Sequence, residues 1–373
     1  MTHSQRRDRL AGFLAADGLD AMLVSDLINV RYLSGFTGSN AALLVFAPGA
    51  GDGAPAVLAT DSRYRTQAAR QAADLEVIIE RACGRHLLRH AAAHGVRRIG
   101  FEGHVLTVDE FATLRADLKD TDPHDGAPVE LVRASGAVET LREVKDAGEL
   151  ALLRLACEAA DAALTDLIER GGVRAGRTER AVARDLEALM LDHGADGRAF
   201  ETIVAAGPNS AVPHHRPTDA VLDQGDFVKI DFGALVAGYH SDMTRTFVLG
   251  SAAVWQREIY DLVAAAQGAG REALHCGAAL ADVDGAARSV IAEAGYGEHF
   301  GHGLGHGVGL QIHEAPGIGS ASTGTLRAGA VVTVEPGVYL PGRGGVRIED
   351  TLAVGSASPE LLTKFPKELA EII

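Results

Sequence analysis

The order of hydrophobic and polar positions divides the chain into two parts. In the first part, short apolar runs alternate with amphipathic stretches, a pattern typical of strands alternating with helices. The predicted strands cover residues 19–25, 29–33, 41–46, 56–59, 98–101 and 129–132, and the predicted helices cover residues 64–73, 86–94 and 108–118. This part is therefore predicted to be a small α/β domain over residues 1–134, with a polar surface loop at 119–128.

The second part begins with helices and continues with strands. Leucine and alanine recur at steps of three and four between residues 145 and 170, which predicts a long helix that ends at Gly171. Thr178 is expected to cap a second helix that runs to His193. Further helices are predicted over 254–276 and 282–294, and strands over 202–206, 227–236, 239–249, 331–340 and 346–354. Several consecutive strands are separated only by short turns, as in hairpins. Residues 135–373 are therefore predicted to form an α+β domain with a mostly antiparallel sheet.

Composition and charge narrow the class of protein. The net charge of −15 argues against nucleic acid or an anionic membrane as partner. No segment approaches the ~20 apolar residues of a membrane span, and the N-terminus lacks the apolar run of a signal peptide. Cys83, Cys157 and Cys276 are far apart, which fits reduced thiols in a cytoplasmic protein. We therefore expect a cytoplasmic protein without a disulfide framework.

Two aspartates are predicted to meet on one hairpin. A two-residue turn at 237–238 would place Asp231 opposite Thr244, and Asp242 opposite Gly233. Because strand side chains alternate between faces, Asp231 and Gly233 share a face. The two carboxylates would then lie diagonally across the hairpin on that same face.

Two glutamates show a similar arrangement near the C-terminus. Glu335 and Glu349 flank a glycine-rich loop at 341–345, and an odd-length loop places both on one face unless a bulge near Pro336 changes the count. Four carboxylates close together repel and raise one another's pKa. Two divalent cations would remove that repulsion, and His306, within a glycine-rich stretch, would supply a neutral nitrogen ligand.

Other interpretations apply to each residue taken alone. A single carboxylate in a strand near a turn usually faces solvent, and His214, His302 and His313 taken singly are more often structural or surface histidines. Five potential ligands in two hairpins and one glycine-rich loop are harder to explain in that way. The glycine run at 301–305 lacks the strand, helix and following acid of a nucleotide-binding loop. The sequence also contains no HExxH, no GxSxG and no context for a catalytic cysteine.

These motifs resemble those of the metal-dependent pita-bread peptidases, a group that includes aminopeptidase P, prolidase and, more distantly, methionine aminopeptidase. The matching segments are 229–233, 241–246, 301–309, 334–337 and 345–350. The resemblance covers about residues 142–373 and implies a C-terminal pita-bread domain. Residues 32–39 and 61–64 resemble the smaller creatinase-like α/β domain of proline-specific members, which methionine aminopeptidases lack.

The resemblance implies two divalent metal ions per chain. The expected ligands are Asp231, Asp242, His306, Glu335 and Glu349. Asp231 would chelate one ion, His306 and Glu335 would bind the other, and Asp242 and Glu349 would bridge. An oxygen-rich ligand set with a single imidazole suits Mn²⁺, with Co²⁺ or Zn²⁺ as alternatives.

The resemblance also implies roles in catalysis. A water activated by the two ions would attack the peptide carbonyl, and Glu335 would help to take its proton. His214 and His313 would hydrogen-bond the carbonyl oxygen or the tetrahedral intermediate. His302 and Arg347 are the candidates for positioning the substrate.

The main expectation is an aminopeptidase P, a cytoplasmic metallopeptidase that removes the N-terminal residue from peptides with proline at the second position. Residues 32–39 and 61–68 look more like the aminopeptidase P version of the smaller domain. The alternative is prolidase, which cleaves Xaa-Pro dipeptides. A creatinase-like protein without peptidase activity, or a binding module of the same fold, is disfavoured. Each position that binds metal in the family carries a residue here that can bind metal. A homodimer is expected from the resemblance alone.

Overall fold

The computed structural model describes residues 1–119, 128–356 and 358–373. It separates into two compact units, Met1–Arg142 and Glu143–Ile373. Most of the loop predicted at 119–128 lies outside the described residues.

The N-terminal unit is built around a six-stranded mixed sheet. Its strands are β1 (Ala21–Val24), β2 (Ala41–Phe46), β3 (Val57–Thr60), β4 (Glu76–Ile79), β5 (Arg98–Phe101) and β6 (Glu130–Arg133), in the order β4-β3-β2-β1-β5-β6. Its helices are α1 (His3–Ala16), α2 (Leu27–Ser34), α3 (Arg65–Gln71), α4 (Cys83–Ala93), α5 (Val108–Lys119) and α6 (Ala137–Arg142). Leu87 and Leu88 of α4 are buried against apolar side chains of β1, β2 and β3, which forms the core of this unit.

The strand predicted at residues 29–33 is wrong, because this segment lies in helix α2. The Asp26 side chain accepts a hydrogen bond from the Ile28 amide at 2.8 Å and caps the first turn. Gly35, with φ of 77°, ends the helix in the left-handed conformation. Valine and tyrosine in this segment favour a strand, but the two capping residues favour a helix and decide the outcome. Helix α1 and strand β4 were not predicted.

Helix α6 follows the sequence-based boundary after residue 134 and belongs to the N-terminal unit. The Tyr32 hydroxyl donates to the Leu141 carbonyl at 3.3 Å. Arg142 Nη1 donates to Asn29 Oδ1 at 2.8 Å. These buried contacts attach α6 to helix α2, which places the division into compact units after residue 142.

The C-terminal unit contains two pairs of helices, each followed by strands. The helices are α7 (Ala147–Glu169), α8 (Glu179–Asp192), α9 (Val254–Ala273) and α10 (Leu280–Glu293). Thr178 caps α8 as predicted, since its side chain accepts from the Ala181 amide at 3.2 Å. The strands are β7 (Gly197–Arg198), β8 (Ile203–Ala206), β9 (Phe227–Phe232), β10 (Ala234–Val236), β11 (Tyr239–His240), β12 (Met243–Leu249), β13 (Gly305–Gly307), β14 (Glu314–Ile318), β15 (Val331–Val334), β16 (Gly337–Leu340), β17 (Gly344–Arg347), β18 (Asp350–Ala353), β19 (Glu360–Leu361) and β20 (Glu371–Ile372).

The strands of this unit form four sheets, and each helix pair packs on one side of the core. The sheet orders are β11-β10-β7, β20-β12-β9-β8, β14-β13-β15-β18-β19 and β16-β17. Helices α7 and α8 share a buried apolar cluster with β8, β9 and β12. Helices α9 and α10 share a second cluster with β15, β16, β17 and β18. Each half therefore consists of a helix pair that supports one interrupted hairpin.

The first hairpin has the predicted register. Ala237 and Gly238 form its turn with φ of 47° and 81°, and Asp231 pairs with Thr244. The hairpin is interrupted at Gly233, where an added Cβ would lie 1.8 Å from the Ser241 carbonyl oxygen. Glycine is required there because the two strands approach too closely for a side chain.

The second hairpin is interrupted at Glu335 and Glu349. Val334 pairs with Asp350 on one side of the interruption, and Gly337 pairs with Arg347 on the other. Because both ladders have the same register, Glu335 lies opposite Glu349. The shared face predicted for these two glutamates is therefore present, and Pro336 does not shift the count.

The three cysteines are free thiols, Cys83 and Cys157 buried and Cys276 exposed. Burial raises the pKa of Cys83 to about 11, so this thiol is not a reactive thiolate at neutral pH. Within the described parts of the chain, none of the helices has the length and apolar character needed to cross a bilayer.

Candidate metal centre

A cavity of about 820 Å³ in the C-terminal unit brings together all nine residues singled out from the sequence. They are Asp231, Asp242, Glu335, Glu349, His214, His302, His306, His313 and Arg347. The four acids come from the two hairpins. His214, His302 and His313 come from three loops, and His306 comes from the short strand β13. The fold therefore places the chemistry where the two halves of the unit meet.

His306 lies between two glycines of the short strand β13. An added Cβ at Gly305 would be 2.0 Å from the Thr333 carbonyl oxygen, and one at Gly307 would be 2.1 Å from that of Ala315. The two glycines thus let the backbone pass between neighbouring strands, while the histidine side chain reaches the cavity. Gly305 and Gly307 are therefore required for strand packing.

The His306 ring directs one nitrogen at two carboxylates. Its Nδ1 lies 3.1 Å from the Gly307 carbonyl, which only accepts, so Nδ1 carries the proton. Burial lowers the pKa of His306 to about 4, so the ring is neutral at pH 7. Its unprotonated Nε2 then faces Glu335 Oε1 at 3.3 Å and Asp242 Oδ2 at 3.5 Å. A lone pair directed at two carboxylate oxygens is unfavourable unless a proton or a metal cation lies between them.

The carboxylates show the same need for positive charge. Burial, reinforced by Glu349 and Asp231, raises the pKa of Asp242 well above its usual value. Burial also raises the pKa of Glu335 to about 7 and that of Glu349 well above its usual value. Among the described residues, Asp231 Oδ1 is buried without a hydrogen-bond partner, although its Oδ2 accepts from Arg347. One guanidinium does not balance four carboxylates.

The residues present fit divalent metal ions. Donor atoms of Asp242, His306 and Glu349 all lie within 4.8 Å of one another. The oxygen-rich donor set, the neutral imidazole and the unpartnered oxygen of Asp231 are what hard or borderline divalent cations require.

Two threonines hold the glutamates in place and were missed in the sequence. Thr244 Oγ1 donates to Glu349 Oε2 at 2.6 Å, and Thr333 Oγ1 donates to Glu335 Oε1 at 3.2 Å. Thr333 also accepts from the His306 amide at 3.0 Å. Their positions could have identified them, because Thr244 lies opposite Asp231 and Thr333 is two residues from Glu335.

Arg347 and His302 are joined through Tyr339, which sequence reasoning also missed. Arg347 Nη1 donates to the Tyr339 hydroxyl at 2.8 Å, and that hydroxyl lies 2.9 Å from His302 Nε2. His302 Nδ1 lies 2.8 Å from the Gly303 carbonyl, so Nδ1 donates and Nε2 accepts from the tyrosine. Arg347 also donates to Thr244 and to Asp231. Its donors are thus largely engaged with the protein itself.

His214 and His313 line the cavity beside the carboxylates. The His313 ring centroid is 4.4 Å from that of His306, with the rings at 71°. Burial lowers the pKa of His313, and the nearby His214 lowers it further. Both side chains are exposed in the cavity lining, where a ring N–H can donate a hydrogen bond.

The loop before His214 is held by a buried lysine. Lys229 Nζ donates to the carbonyls of Ser210, Val212 and Pro213 at 3.0, 2.7 and 3.3 Å. Lys229 is fully buried and lies two residues before Asp231 in strand β9. The signal in the sequence was a lysine in a strand whose other residues, apart from Asp231, are apolar.

A second group of possible metal donors lies in the N-terminal unit, at Asp26, His104 and Glu139. His104 is 41% exposed and its Nε2 lies 3.0 Å from Glu139 Oε1. Asp26 caps helix α2, and Glu139 Oε1 pairs with His104, so two of the donors already have partners in the protein.

Two family profiles match the chain. The profile described as Metallopeptidase family M24 matches residues 151–356. The profile described as Creatinase/Prolidase N-terminal domain matches residues 6–144. Together the two profiles cover both compact units.

Individual proteins match over nearly the whole chain. An Xaa-Pro dipeptidase from Pyrococcus furiosus is 35% identical over 365 residues, which is 98% of this chain and 99% of that protein. Among solved structures, the Xaa-Pro dipeptidase from Bacillus anthracis has a TM-score of 0.90 at 36% identity, covering 99% of each chain. The X-Pro aminopeptidase from Thermotoga maritima has a TM-score of 0.85 at 33% identity, covering 95% of this chain and 98% of that one.

Proposed function

This chain belongs to metallopeptidase family M24, and from that premise we propose that it hydrolyses peptides of the form Xaa-Pro, with dipeptides as the preferred substrates. The two-domain fold, a creatinase-like N-terminal domain followed by a pita-bread M24 domain, is the one the sequence predicted. One observation carries the proposal: the unprotonated nitrogen of His306 faces Asp242 and Glu335 in a cavity that also holds His214 and His313.

We propose that two divalent metal ions complete this centre. Asp231, Asp242, His306, Glu335 and Glu349 would hold them. The ions, when bound, supply Lewis-acid polarisation and lower the pKa of water. The oxygen-rich donor set supports Mn²⁺, with Co²⁺ or Zn²⁺ as alternatives.

The chain's own residues would supply proton transfer and charge stabilisation. His214 and His313, exposed in the cavity lining, would donate hydrogen bonds to the substrate carbonyl oxygen as negative charge develops there. A Glu335 carboxylate oxygen would accept a proton from the attacking water. Proline after the scissile bond has no N–H, so the cavity must recognise the shape of its ring.

The comparisons with known proteins change the expected length of the substrate, from longer peptides to dipeptides. The sequence favoured aminopeptidase P because of residues 32–39 and 61–68. The Pyrococcus furiosus dipeptidase matches the chain over 98% of its length, including this N-terminal part. The N-terminal domain therefore does not favour aminopeptidase P, and the relatives named dipeptidases support the alternative better. Aminopeptidase P remains the second candidate because the Thermotoga maritima aminopeptidase has the same fold.

The test compares peptides that differ in one feature at a time. We expect Mn²⁺-loaded protein to cleave an Xaa-Pro dipeptide with a higher kcat/KM than the matching Xaa-Pro-Yaa tripeptide. The matching Xaa-Ala dipeptide should be cleaved much more slowly. A tripeptide cleaved faster than the dipeptide would identify an aminopeptidase P, and equal cleavage of the alanine peptide would exclude proline specificity.

Three further expectations stay proposals. Arg347 and His302 were expected to position the substrate. Their hydrogen bonds to Tyr339 support a role in which they orient one another and Asp231. The homodimer and the cytoplasmic location are expectations from the resemblance and from the thiols. A creatinase-like or purely binding role would require a centre that holds no metal, which metal analysis tests.

A further inference from the structure

Glu179 is a buried carboxylate that the reaction described above does not use. It is the first residue of helix α8, and its exposed fraction is 0%. A buried carboxylate is unfavourable unless several hydrogen-bond donors compensate its charge. The donors that surround Glu179 therefore indicate what this residue does.

The two carboxylate oxygens of Glu179 bind two separate points of the chain. Oε1 accepts from the Ala206 amide and from Asn209 Nδ2, both at 2.9 Å. Oε2 accepts from the Thr218 amide at 2.9 Å and from the Thr218 hydroxyl at 2.7 Å. It also accepts from His215 Nε2 at 2.8 Å. One side chain thus joins the beginning and the end of the loop at 206–218.

The charge of Glu179 is what allows both oxygens to accept. Burial alone would raise the pKa of this carboxyl, but the donors from the loop together hold the pKa below its usual value. The carboxylate is therefore ionised at neutral pH, and neither oxygen carries a proton that would face a donor.

The loop joined by Glu179 carries His214. It begins at Ala206, the last residue of strand β8, and ends at Thr218. His214 and the three residues that follow it, 215–217, line the cavity. Glu179 does not itself line the cavity, so its effect on a bound substrate must pass through the loop.

The backbone is held on both sides of His214. On one side, Lys229 Nζ donates to the two carbonyls immediately before this histidine, at 2.7 and 3.3 Å. On the other side, the next residue, His215, donates to Glu179. A carboxylate that lies outside the cavity therefore helps to set where the His214 ring stands inside it.

We infer that Glu179 is a positioning residue for His214, acting through the two ends of the loop at 206–218. The inference deepens the proposed function and rests on it for the role of His214 in stabilising the transition state. Glu179 makes no contact with the substrate in this role. It keeps the imidazole where the carbonyl oxygen gains negative charge.

The change to test is Glu179→Gln, because glutamine has the size of glutamate but only one acceptor oxygen. In either orientation, its NH₂ group would face a backbone N–H, that of Ala206 or that of Thr218. A backbone N–H cannot reverse its role, so one end of the loop loses its anchor.

The full-length Mn²⁺-loaded variant should lose turnover and keep its affinity for substrate. We expect kcat for an Xaa-Pro dipeptide to fall about 10- to 10²-fold, the effect of moving a catalytic group by ~1 Å. KM should change by less than about twofold, since the contact of His214 strengthens only in the transition state. Bound metal, measured by elemental analysis, should stay at the wild-type level.

Amide hydrogen exchange tests the loop without reference to activity. It is followed by mass spectrometry of peptides that cover residues 203–220. The amide that loses its acceptor, that of Ala206 or that of Thr218, should exchange about tenfold faster in Glu179→Gln than in wild type.

Glu102→Gln is the matched control. Glu102 is also 0% exposed, lies in the N-terminal unit, and accepts from the Ser25 and Asp26 amides and from Asn29 Nδ2. The control measures what the same substitution does at a buried glutamate that does not bind the His214 loop. It should leave kcat and the exchange of the loop amides unchanged.

The possible failures are distinguishable. Wild-type exchange at both ends of the loop in Glu179→Gln overturns the inference, and so does faster exchange with wild-type kcat. An equal fall in kcat in Glu102→Gln, or loss of metal from Glu179→Gln, overturns it as well. If wild type cleaves no Xaa-Pro peptide, the proposed function fails, and hydrogen exchange alone decides whether Glu179 holds the loop.

Discussion

Lys229 should control turnover through the position of His214. Its ammonium group donates to three carbonyls of the segment immediately before that histidine, at 2.7, 3.0 and 3.3 Å. Arg347 donates to one of the same carbonyls, that of Pro213, at 3.3 Å. The loop that presents His214 is thus fixed by two buried cations, neither of which needs to touch the substrate. The change to test is Lys229→Met, which keeps most of the length of the side chain and removes its donors.

The magnitude follows from opposing contributions. Hydrogen bonds from a charged group contribute about 1.5–3 kcal/mol each. Burial of the ammonium offsets part of this, and it lowers the pKa of Lys229 well below its usual value. Removing one partner of a buried charged set costs ~3–5 kcal/mol. We therefore expect the free energy of unfolding to fall by about 2–4 kcal/mol. If the loop moves by ~1 Å, kcat should fall up to about 10²-fold.

A double-mutant cycle separates positioning from general loss of structure. Metal content by elemental analysis and kcat for an Xaa-Pro dipeptide are measured for Lys229→Met, His214→Ala and the double variant. If Lys229 acts through His214, Lys229→Met lowers kcat in the wild-type background and has little further effect in the His214→Ala background. Metal content should stay unchanged in all three. Effects on kcat that multiply, or metal that is lost with Lys229, would refute the reasoning.

Three further outcomes are expected. Asp242→Ala should lose bound metal and activity together, as measured by elemental analysis and peptide hydrolysis; retained metal would contradict its place in the centre. His313→Ala should keep its metal and lose turnover by about 10²–10³-fold, the usual cost of a missing transition-state donor; wild-type kcat would contradict that role. Gly233→Ala should lower the free energy of unfolding in urea by about 2–4 kcal/mol, because its Cβ would lie 1.8 Å from the Ser241 carbonyl oxygen; an unchanged midpoint would contradict the close approach.

Much of the centre was predictable because hairpin geometry follows from short turns. The two-residue turn at 237–238 sets the pairing of Asp231 with Thr244. In the second hairpin, the odd number of loop residues predicts that Glu335 and Glu349 lie on one face, as observed. Side chains alternate between the two faces of a strand. Once the turn is identified, the partners and faces of residues several positions away follow from it. The strand register is the same on both sides of the interruption in each hairpin.

The hydrogen-bond partners of these residues were not predictable in the same way. Tyr339 joins Arg347 to His302, and this junction depends on packing between segments far apart in the sequence. The same holds for Lys229, whose partners lie in a loop about 20 residues earlier. Local patterns give the face of a strand, whereas contacts between distant segments need the folded chain.

The errors in the N-terminal part have a local cause. Residues 29–33 contain apolar and β-branched side chains that favour a strand, yet Asp26 and Gly35 form the two ends of a helix. A short apolar run alone does not distinguish a buried helix from a buried strand, and the capping residues decide between them. The preference for aminopeptidase P rested on this same domain, which the dipeptidase relatives share.

In the proposed function, hydrolysis of Xaa-Pro depends on two metal ions held by five residues of the cavity. The most direct measurement titrates metal-free protein with Mn²⁺ and follows the release of proline from an Xaa-Pro dipeptide, with bound metal determined in the same samples. We expect no activity without metal, and a plateau when about two ions are bound per chain, because four carboxylates balance two divalent charges. Full activity in metal-free protein would contradict the claim.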